Sequence, residues 1–139
     1  MIEERDFQLA KAACELRKKA YAPYSHFTVG AALLSESGDL FCGANIENAS
    51  YGATLCAERS AFAQAVSQGH RSFSAIAIAG GKEDELSSLC APCGICRQVM
   101  AEFCKKDFRI ILVNEKDLSK SEVKTIEELF PSAFDHTSL

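Results

Sequence analysis

The chain has 139 residues, 47% of them hydrophobic, which is enough to bury one core, so a single domain over residues 1–139 is expected. Its 19 Asp and Glu residues outnumber 15 Lys and Arg residues, and the net charge of −4 argues against a nucleic acid polymer as partner. The acidic residues near the start and a longest apolar run of only residues 75–79 predict neither a secretory signal nor a membrane span, so we expect a soluble cytoplasmic protein.

The first half of the chain predicts one helix and a β-hairpin. Apolar residues recur at steps of three and four over residues 6–20, which is typical of an amphipathic helix that ends before Pro23. Two short apolar stretches then follow, at residues 27–34 and 40–44. They are separated by the turn-forming residues 35–39, which indicates a hairpin.

The second half alternates helices with buried strands. Small and apolar residues from Cys56 to Gln68 predict a buried helix, and residues 75–79 predict a strand. The same order is repeated by a helix at residues 94–104 and a strand at 110–113, and a last short helix is predicted at 122–130. This alternation predicts an α/β fold with helices on both faces of a sheet.

Two cysteine motifs carry the chemistry, and each lies at the predicted start of a helix. One is Cys56-Ala57-Glu58 and the other is Pro92-Cys93-Gly94-Ile95-Cys96. A helix N-terminus favours thiolate over thiol and so prepares Cys56, Cys93 and Cys96 to bind zinc. Three protein ligands leave one position open, which is typical of catalytic zinc, and Glu58 is close enough in sequence to reach a water molecule there.

Nearby cations are expected to balance the charge of this site. Zinc with three thiolates carries a formal charge of −1 and acidifies water less than a site that contains a neutral imidazole. Arg59 and Arg97 directly follow Glu58 and Cys96, and we predict that both donate hydrogen bonds to the thiolates.

Other interpretations of the cysteines are possible from the motifs alone. Cys93 and Cys96 could form a redox pair or a structural zinc knuckle, and Cys90 could close a four-thiolate site without catalysis. Such a closed site would leave Glu58 without a role. An iron–sulfur site that uses Cys104 as a further ligand does not fit the ferredoxin spacing.

Together the motifs closely resemble the cytidine deaminase family in its small homotetrameric form. The Cys-x-Glu and Pro-Cys-x-x-Cys pattern is that of the zinc deaminases. Two further stretches, residues 24–32 and 45–51, extend the resemblance, which covers Tyr21 to Phe134. It implies a three-layer α/β/α fold with a mixed sheet of about five strands, one zinc ion per subunit and a homotetramer.

The resemblance also implies an activity and residue roles. The activity is hydrolytic deamination of cytidine and 2′-deoxycytidine to the uridine nucleosides in pyrimidine salvage, with Glu58 moving the protons. Asn45 and Glu47 would bind the ribose hydroxyls, Phe27 would pack on the pyrimidine and the Ala57 backbone would contact the base. The full set of implied substrate contacts is Phe27, Asn45, Glu47, Tyr51, Ala57 and Phe134, the last reaching a neighbouring subunit's pocket.

Related substrates remain open at this point. Deoxycytidylate and blasticidin S need the same zinc chemistry but a different pocket wall. A phosphate would require cations where Glu47 places a negative charge, so the sequence favours a neutral nucleoside. Without the family resemblance, Phe27 would be interpreted as core and Asn45 as a turn residue.

Overall fold

The computed structural model describes residues 2–139 and contains a five-stranded mixed sheet. The sheet order is β2-β1-β3-β4-β5, in which β3 and β4 are parallel and the other neighbours are antiparallel. The strands are β1 (Phe27–Ser35), β2 (Leu40–Ala44), β3 (Phe73–Lys82), β4 (Arg109–Leu112) and β5 (Glu122–Thr125). The helices are α1 (Glu4–Arg17), α2 (Ala57–Ser67), α3 (Gly94–Phe103) and α4 (Ile126–Leu129).

Helices cover both faces of this sheet, as the sequence predicts. Alternate residues of β3 point to opposite faces, so Ala75, Ala77 and Ala79 pack under α1 while Ile76 and Ile78 belong to the core under α2 and α3. The three-layer α/β/α prediction is therefore confirmed. No helix within residues 2–139 is long and apolar enough to cross a membrane.

The predicted helix at residues 122–130 is wrong over its first four positions. Residues Glu122–Thr125 form β5, which pairs antiparallel with β4. Val123 and Thr125 are β-branched and fit a strand, and the edge of β4 offers backbone hydrogen bonds that the isolated sequence does not reveal. Thr125 then caps a single turn of helix, because its Oγ1 accepts a hydrogen bond from the Glu128 N–H at 3.2 Å.

Glycines allow two helices to lie unusually close to the sheet. A Cβ atom on Gly43 of β2 would lie 2.5 Å from the Ala57 carbonyl oxygen, and one on Gly30 of β1 would lie 2.0 Å from the Ala13 carbonyl oxygen. Neither position has space for a side chain. Gly43 thereby sets the distance between β2 and the first turn of α2.

A buried ion pair joins α1 to β4. The guanidinium of Arg109 donates two hydrogen bonds of 2.7 Å to the carboxylate of Asp6, which is fully buried. Burial by itself raises the pKa of Asp6, but the hydrogen bonds from Arg109 and from the Glu3 N–H hold it below its ordinary value.

We expect Arg109→Met to lower the free energy of unfolding by about 3 kcal/mol, because it leaves a buried carboxylate without its partner. The folded pKa of Asp6 is depressed, so this contribution is present above about pH 4 and is lost as the pH falls below the unfolded value. Urea unfolding at pH 7 and pH 3 measures both effects. Lys18→Met, which removes an exposed pair with Glu15, is the control and should leave stability unchanged.

An equal loss at both pH values would contradict the assignment to the ion pair. A double replacement, Asp6→Leu with Arg109→Met, should recover most of the lost stability, because no charge then remains buried.

Candidate active site

Three cysteine sulfurs meet where α2 and α3 begin. Cys56 and Cys93 are the residues that immediately precede the two helices, and Cys96 lies in the first turn of α3. Their sulfur atoms all lie within 4.8 Å of one another, and those of Cys56 and Cys93 are 3.7 Å apart. Tetrahedral zinc with Zn–S bonds of about 2.3 Å separates its sulfur ligands by about 3.8 Å, so the cluster fits that ion.

The charge state of the cluster also suits a metal. Hydrogen bonds from Cys96, Arg59 and Cys93 lower the pKa of Cys56 to about 5, so this sulfur is a thiolate at neutral pH. Cys96 donates a hydrogen bond to the Cys56 sulfur, and this bond together with burial raises the pKa of the Cys96 thiol, which holds its proton. A zinc ion would displace that proton, as metal binding to thiols generally does.

Glu58 lies one residue into α2 and faces a small cavity beside the sulfurs. It is 4% exposed, and burial raises the pKa of its carboxyl to about 7. The cavity has a volume of about 160 Å³ and is lined by Val29, Asn45, Cys56, Ala57, Glu58, Cys90, Ala91 and Cys93. A buried carboxyl with a raised pKa and two of the three clustered cysteines therefore line the same cavity.

Cys90 lines this cavity without joining the metal cluster. Within residues 2–139, the sulfurs close enough to share a metal ion are those of Cys56, Cys93 and Cys96. Burial raises the pKa of Cys90 to about 11, so its sulfur remains a thiol. Gly80 of β3 makes room for it, since a Cβ there would lie 2.7 Å from the Cys90 sulfur. The four-thiolate alternative has no geometric support in this arrangement.

The two arginines that follow the motifs have different partners. Arg59 donates from Nη2 to the Cys56 sulfur at 3.4 Å and to the Thr54 carbonyl at the same distance. Its Nε atom is buried and has no hydrogen-bond partner among residues 2–139, which is costly unless negative charge lies nearby. Arg97 instead donates to the carbonyl oxygens of Pro92 and Leu129, so the predicted bond from Arg97 to a thiolate is absent.

We expect Arg59→Gln to weaken zinc binding or activity by about 10-fold to 100-fold, because a neutral side chain no longer offsets the thiolate charge. The rate of zinc dissociation, monitored by competition with a colorimetric chelator, measures the effect. Arg71→Gln is a matched control, since Arg71 is exposed and donates to the Val66 and His70 carbonyls. Equal zinc retention in both variants, with equal activity, would contradict a role for Arg59 at the thiolates.

An open groove, distinct from the cavity beside Glu58, lies next to Glu47. It has a volume of about 360 Å³ and is lined by Tyr24, Ser25, Glu47, Asn48, Tyr51 and Thr54. The rings of Tyr24 and Tyr51 meet edge to face at 6.0 Å, and Tyr51 is 76% exposed. Glu47 therefore lies in an open groove with an aromatic wall.

The remaining predicted substrate residues lie in different surroundings. Asn45 is buried, and its amide accepts from the Val29 N–H and donates to the Phe27 carbonyl. Phe27 is 40% exposed at the start of β1, and Ala57 is fully buried in the cavity wall. Phe134 is 62% exposed and lines neither the cavity beside Glu58 nor the groove beside Glu47. The side-chain amide of Gln98 donates a 2.8 Å hydrogen bond to the Phe134 carbonyl.

Sequence reasoning did not single out Ser25, Tyr24 or the cavity position of Cys90. Ser25 and Tyr24 stand in a stretch that also marks the family resemblance, but their contact with Glu47 spans more than 20 residues. No spacing pattern within either segment indicates that contact. Two signals could have found Tyr24 and Ser25. They stand beside Phe27 in the sequence, and Glu47 is an acidic residue that needs hydrogen-bond donors.

Comparison with known proteins decides the family. The family model for the cytidine and deoxycytidylate deaminase zinc-binding region matches residues 3–112, which include both cysteine motifs. The chain belongs to the cytidine and deoxycytidylate deaminase family. The resemblance predicted from the motifs is thereby confirmed, and so is zinc as the cofactor that the Cys56, Cys93 and Cys96 cluster can hold.

Similar members of this deaminase family match along most of their length. A cytidine deaminase of Sporosarcina psychrophila is 49% identical over 123 residues, covering 88% of this chain and 86% of that protein. One from Halalkalibacterium halodurans is 48% identical over 127 residues, 91% of each. The crystal structure of cytidine deaminase from Burkholderia pseudomallei has a TM-score of 0.83 and 44% identity, covering 96% of this chain and 100% of that chain.

Proposed function

We propose that this chain is a zinc-dependent enzyme that deaminates cytidine and 2′-deoxycytidine to uridine and 2′-deoxyuridine, releasing ammonia. The observation that carries the proposal is the cluster of the Cys56, Cys93 and Cys96 sulfur atoms next to a cavity that Cys56, Cys93 and Glu58 line. Three protein donors leave a coordination position free for a reactant, which a closed structural site does not.

Glu58 is the proton-transferring group in this proposal. Zinc, when bound, makes water a stronger nucleophile by lowering its pKa. The Glu58 carboxyl accepts a proton from the attacking water and delivers it to the ring nitrogen N3; it then accepts the second proton from the hydroxyl now on C4 and delivers it to the departing amine. One carboxyl thus acts first as a base and then as an acid, and its burial keeps bulk water away from both transfers.

The substrate would bind across the cavity and the neighbouring groove. The cytosine ring would occupy the cavity, against Phe27 and the Ala57 backbone, where a helix N-terminus offers free N–H groups. The ribose hydroxyls would bind Asn45 and Glu47, with Tyr51 at the edge of the groove. The acceptor position that the Glu47 carboxylate keeps open suits a hydroxyl donor.

The nature of the groove favours a nucleoside over a nucleotide. Glu47 lies in the groove with two tyrosines, and the described residues that line the groove include no Lys or Arg, so a 5′-phosphate would meet negative charge there. Absorbance assays with cytidine, 2′-deoxycytidine, deoxycytidylate and blasticidin S test this preference, with zinc quantified per chain. Turnover of deoxycytidylate or blasticidin S in preference to both nucleosides would overturn the substrate assignment.

The proposal extends to the oligomeric state of the enzyme and to its cellular compartment. Large apolar side chains are exposed beside site residues in sequence, including Tyr24, Leu89, Ile95 and Phe134. Such exposure supports association into a homotetramer, in which Phe134 would cover a neighbouring pocket. Thiolate ligands need a reducing compartment, so we place the enzyme in the cytoplasm and in pyrimidine salvage. A monomeric mass by light scattering, with full activity, would contradict the tetramer.

A further inference from the structure

The turn that contains Tyr24 and Ser25 binds the Glu47 carboxylate through hydrogen bonds. The backbone N–H groups of Tyr24 and Ser25 donate to Oε1 of Glu47 at 2.9 and 3.1 Å. The Ser25 hydroxyl donates to the other oxygen, Oε2. Because a carboxylate only accepts hydrogen bonds, the direction of the Ser25 proton is settled, and its oxygen accepts the Phe27 N–H at 3.0 Å.

These contacts leave Glu47 with one free acceptor position. A carboxylate oxygen accepts about two hydrogen bonds, so the two backbone N–H groups use the capacity of Oε1. Oε2 accepts the Ser25 hydroxyl and keeps one position open. A donor in the groove must therefore bind the same oxygen that Ser25 holds, and the Ser25 bond sets the direction in which the remaining lone pair points.

The backbone on both sides keeps Ser25 in place. His26 adopts a left-handed conformation with φ of 57°, which turns the chain sharply between Ser25 and β1. The His26 N–H donates to the Ala22 carbonyl at 3.0 Å, and the His26 carbonyl accepts the Glu83 N–H at 2.7 Å. Glu47 is tied as well, since its N–H donates to the Tyr21 carbonyl at 2.8 Å.

We propose that Ser25 is a positioning residue for recognition of the sugar: its hydroxyl orients Glu47 so that Oε2 accepts a ribose hydroxyl of the nucleoside. The proposal rests on the function proposed above and adds a residue to its substrate site. Phe27 also contacts Ser25, because its N–H donates to the Ser25 hydroxyl oxygen, but its backbone is held independently by β1, where it pairs with Lys82 of β3.

The charge state of Glu47 agrees with this role. The Ser25 hydrogen bond lowers the pKa of Glu47 below its ordinary value, so the carboxylate remains ionised and can only accept. An ionised acceptor makes a stronger bond to a sugar hydroxyl than a protonated one does.

The test compares Ser25→Ala with Ser25→Thr, which keeps the hydroxyl. Two constants are measured for each protein: kcat/KM for cytidine, and the inhibition constant of 2′,3′-dideoxycytidine against cytidine. We expect Ser25→Ala to lower kcat/KM for cytidine about tenfold, the size of one lost bond to a charged group, while the inhibition constant changes less than about twofold. Ser25→Thr should restore most of the loss for cytidine.

Dideoxycytidine separates positioning from general damage, because it presents the same base and the 5′ hydroxyl without the 2′ and 3′ hydroxyls. Equal losses for both ligands, or no loss for cytidine, would overturn the role of Ser25. Adding Ser25→Ala to Glu47→Ala should cause no further loss, since the group it orients is then gone. Failure of the unaltered protein to deaminate cytidine would instead refute the proposed function itself.

Discussion

Replacing Glu58 with glutamine should lower kcat for cytidine by about 10²-fold to 10⁴-fold, the range that a positioned acid and base contributes. Glutamine keeps the size and polarity of the side chain but can neither accept nor deliver a proton in the reaction. The decrease in ultraviolet absorbance on deamination measures kcat, and elemental analysis measures zinc per chain.

Zinc content should not change in Glu58→Gln, because Glu58 lies beside the sulfur cluster and is not part of it. Glu102→Gln is the matched control, because Glu102 is an exposed carboxyl on α3 that does not line the cavity. Activity of Glu58→Gln near that of the control would show that another group moves the protons. Loss of zinc from Glu58→Gln would show that its carboxyl supports the metal.

Cys93→Ser and Cys90→Ser should behave in opposite ways, although the two residues are three positions apart. Cys93 contributes a sulfur to the cluster, so its replacement should weaken zinc binding by more than about 100-fold and abolish activity. Cys90 is a thiol in the cavity wall, so Cys90→Ser should retain zinc after dialysis. Zinc per chain and activity are measured for both purified variants.

This pair of variants separates an open metal site from a closed one. Loss of zinc from both would mean that Cys90 is a fourth ligand, which would leave no position for a reactant. Retention of zinc by Cys93→Ser would remove Cys93 from the site. The same assay measures the activity of Cys90→Ser, for which a change confined to KM is expected, because the serine alters only the cavity wall.

Much of the metal site could be predicted from the sequence because its information is local. Cys56 and Cys93 each stand directly before a helix, and a helix start prepares a thiolate wherever it occurs in a fold. The position of Glu58, two residues after Cys56, ties it to the same helix turn. The alternation of apolar strands and helices likewise predicted the three layers, because the burial of each element follows from its own residues.

Other features depended on partners that are distant in the chain. Residues 122–125 became a strand because the edge of β4 offered hydrogen bonds, which outweighed a weak helical pattern. Because Arg97 follows Cys96 in the sequence, it was predicted to bind a thiolate. In the structure, however, the carbonyl of Leu129, 32 residues away, accepts a hydrogen bond from Arg97.

By itself, the sequence identified the candidate chemical groups of this protein, which are three cysteines and one carboxyl at the starts of two helices. Only the tertiary structure decided which groups orient them. Arg59 reaches a sulfur while Arg97 does not, and Ser25 meets Glu47 across 22 residues. The physical reason is that helix starts are encoded by adjacent residues, whereas a hydrogen bond between separate segments exists only once packing has placed both partners.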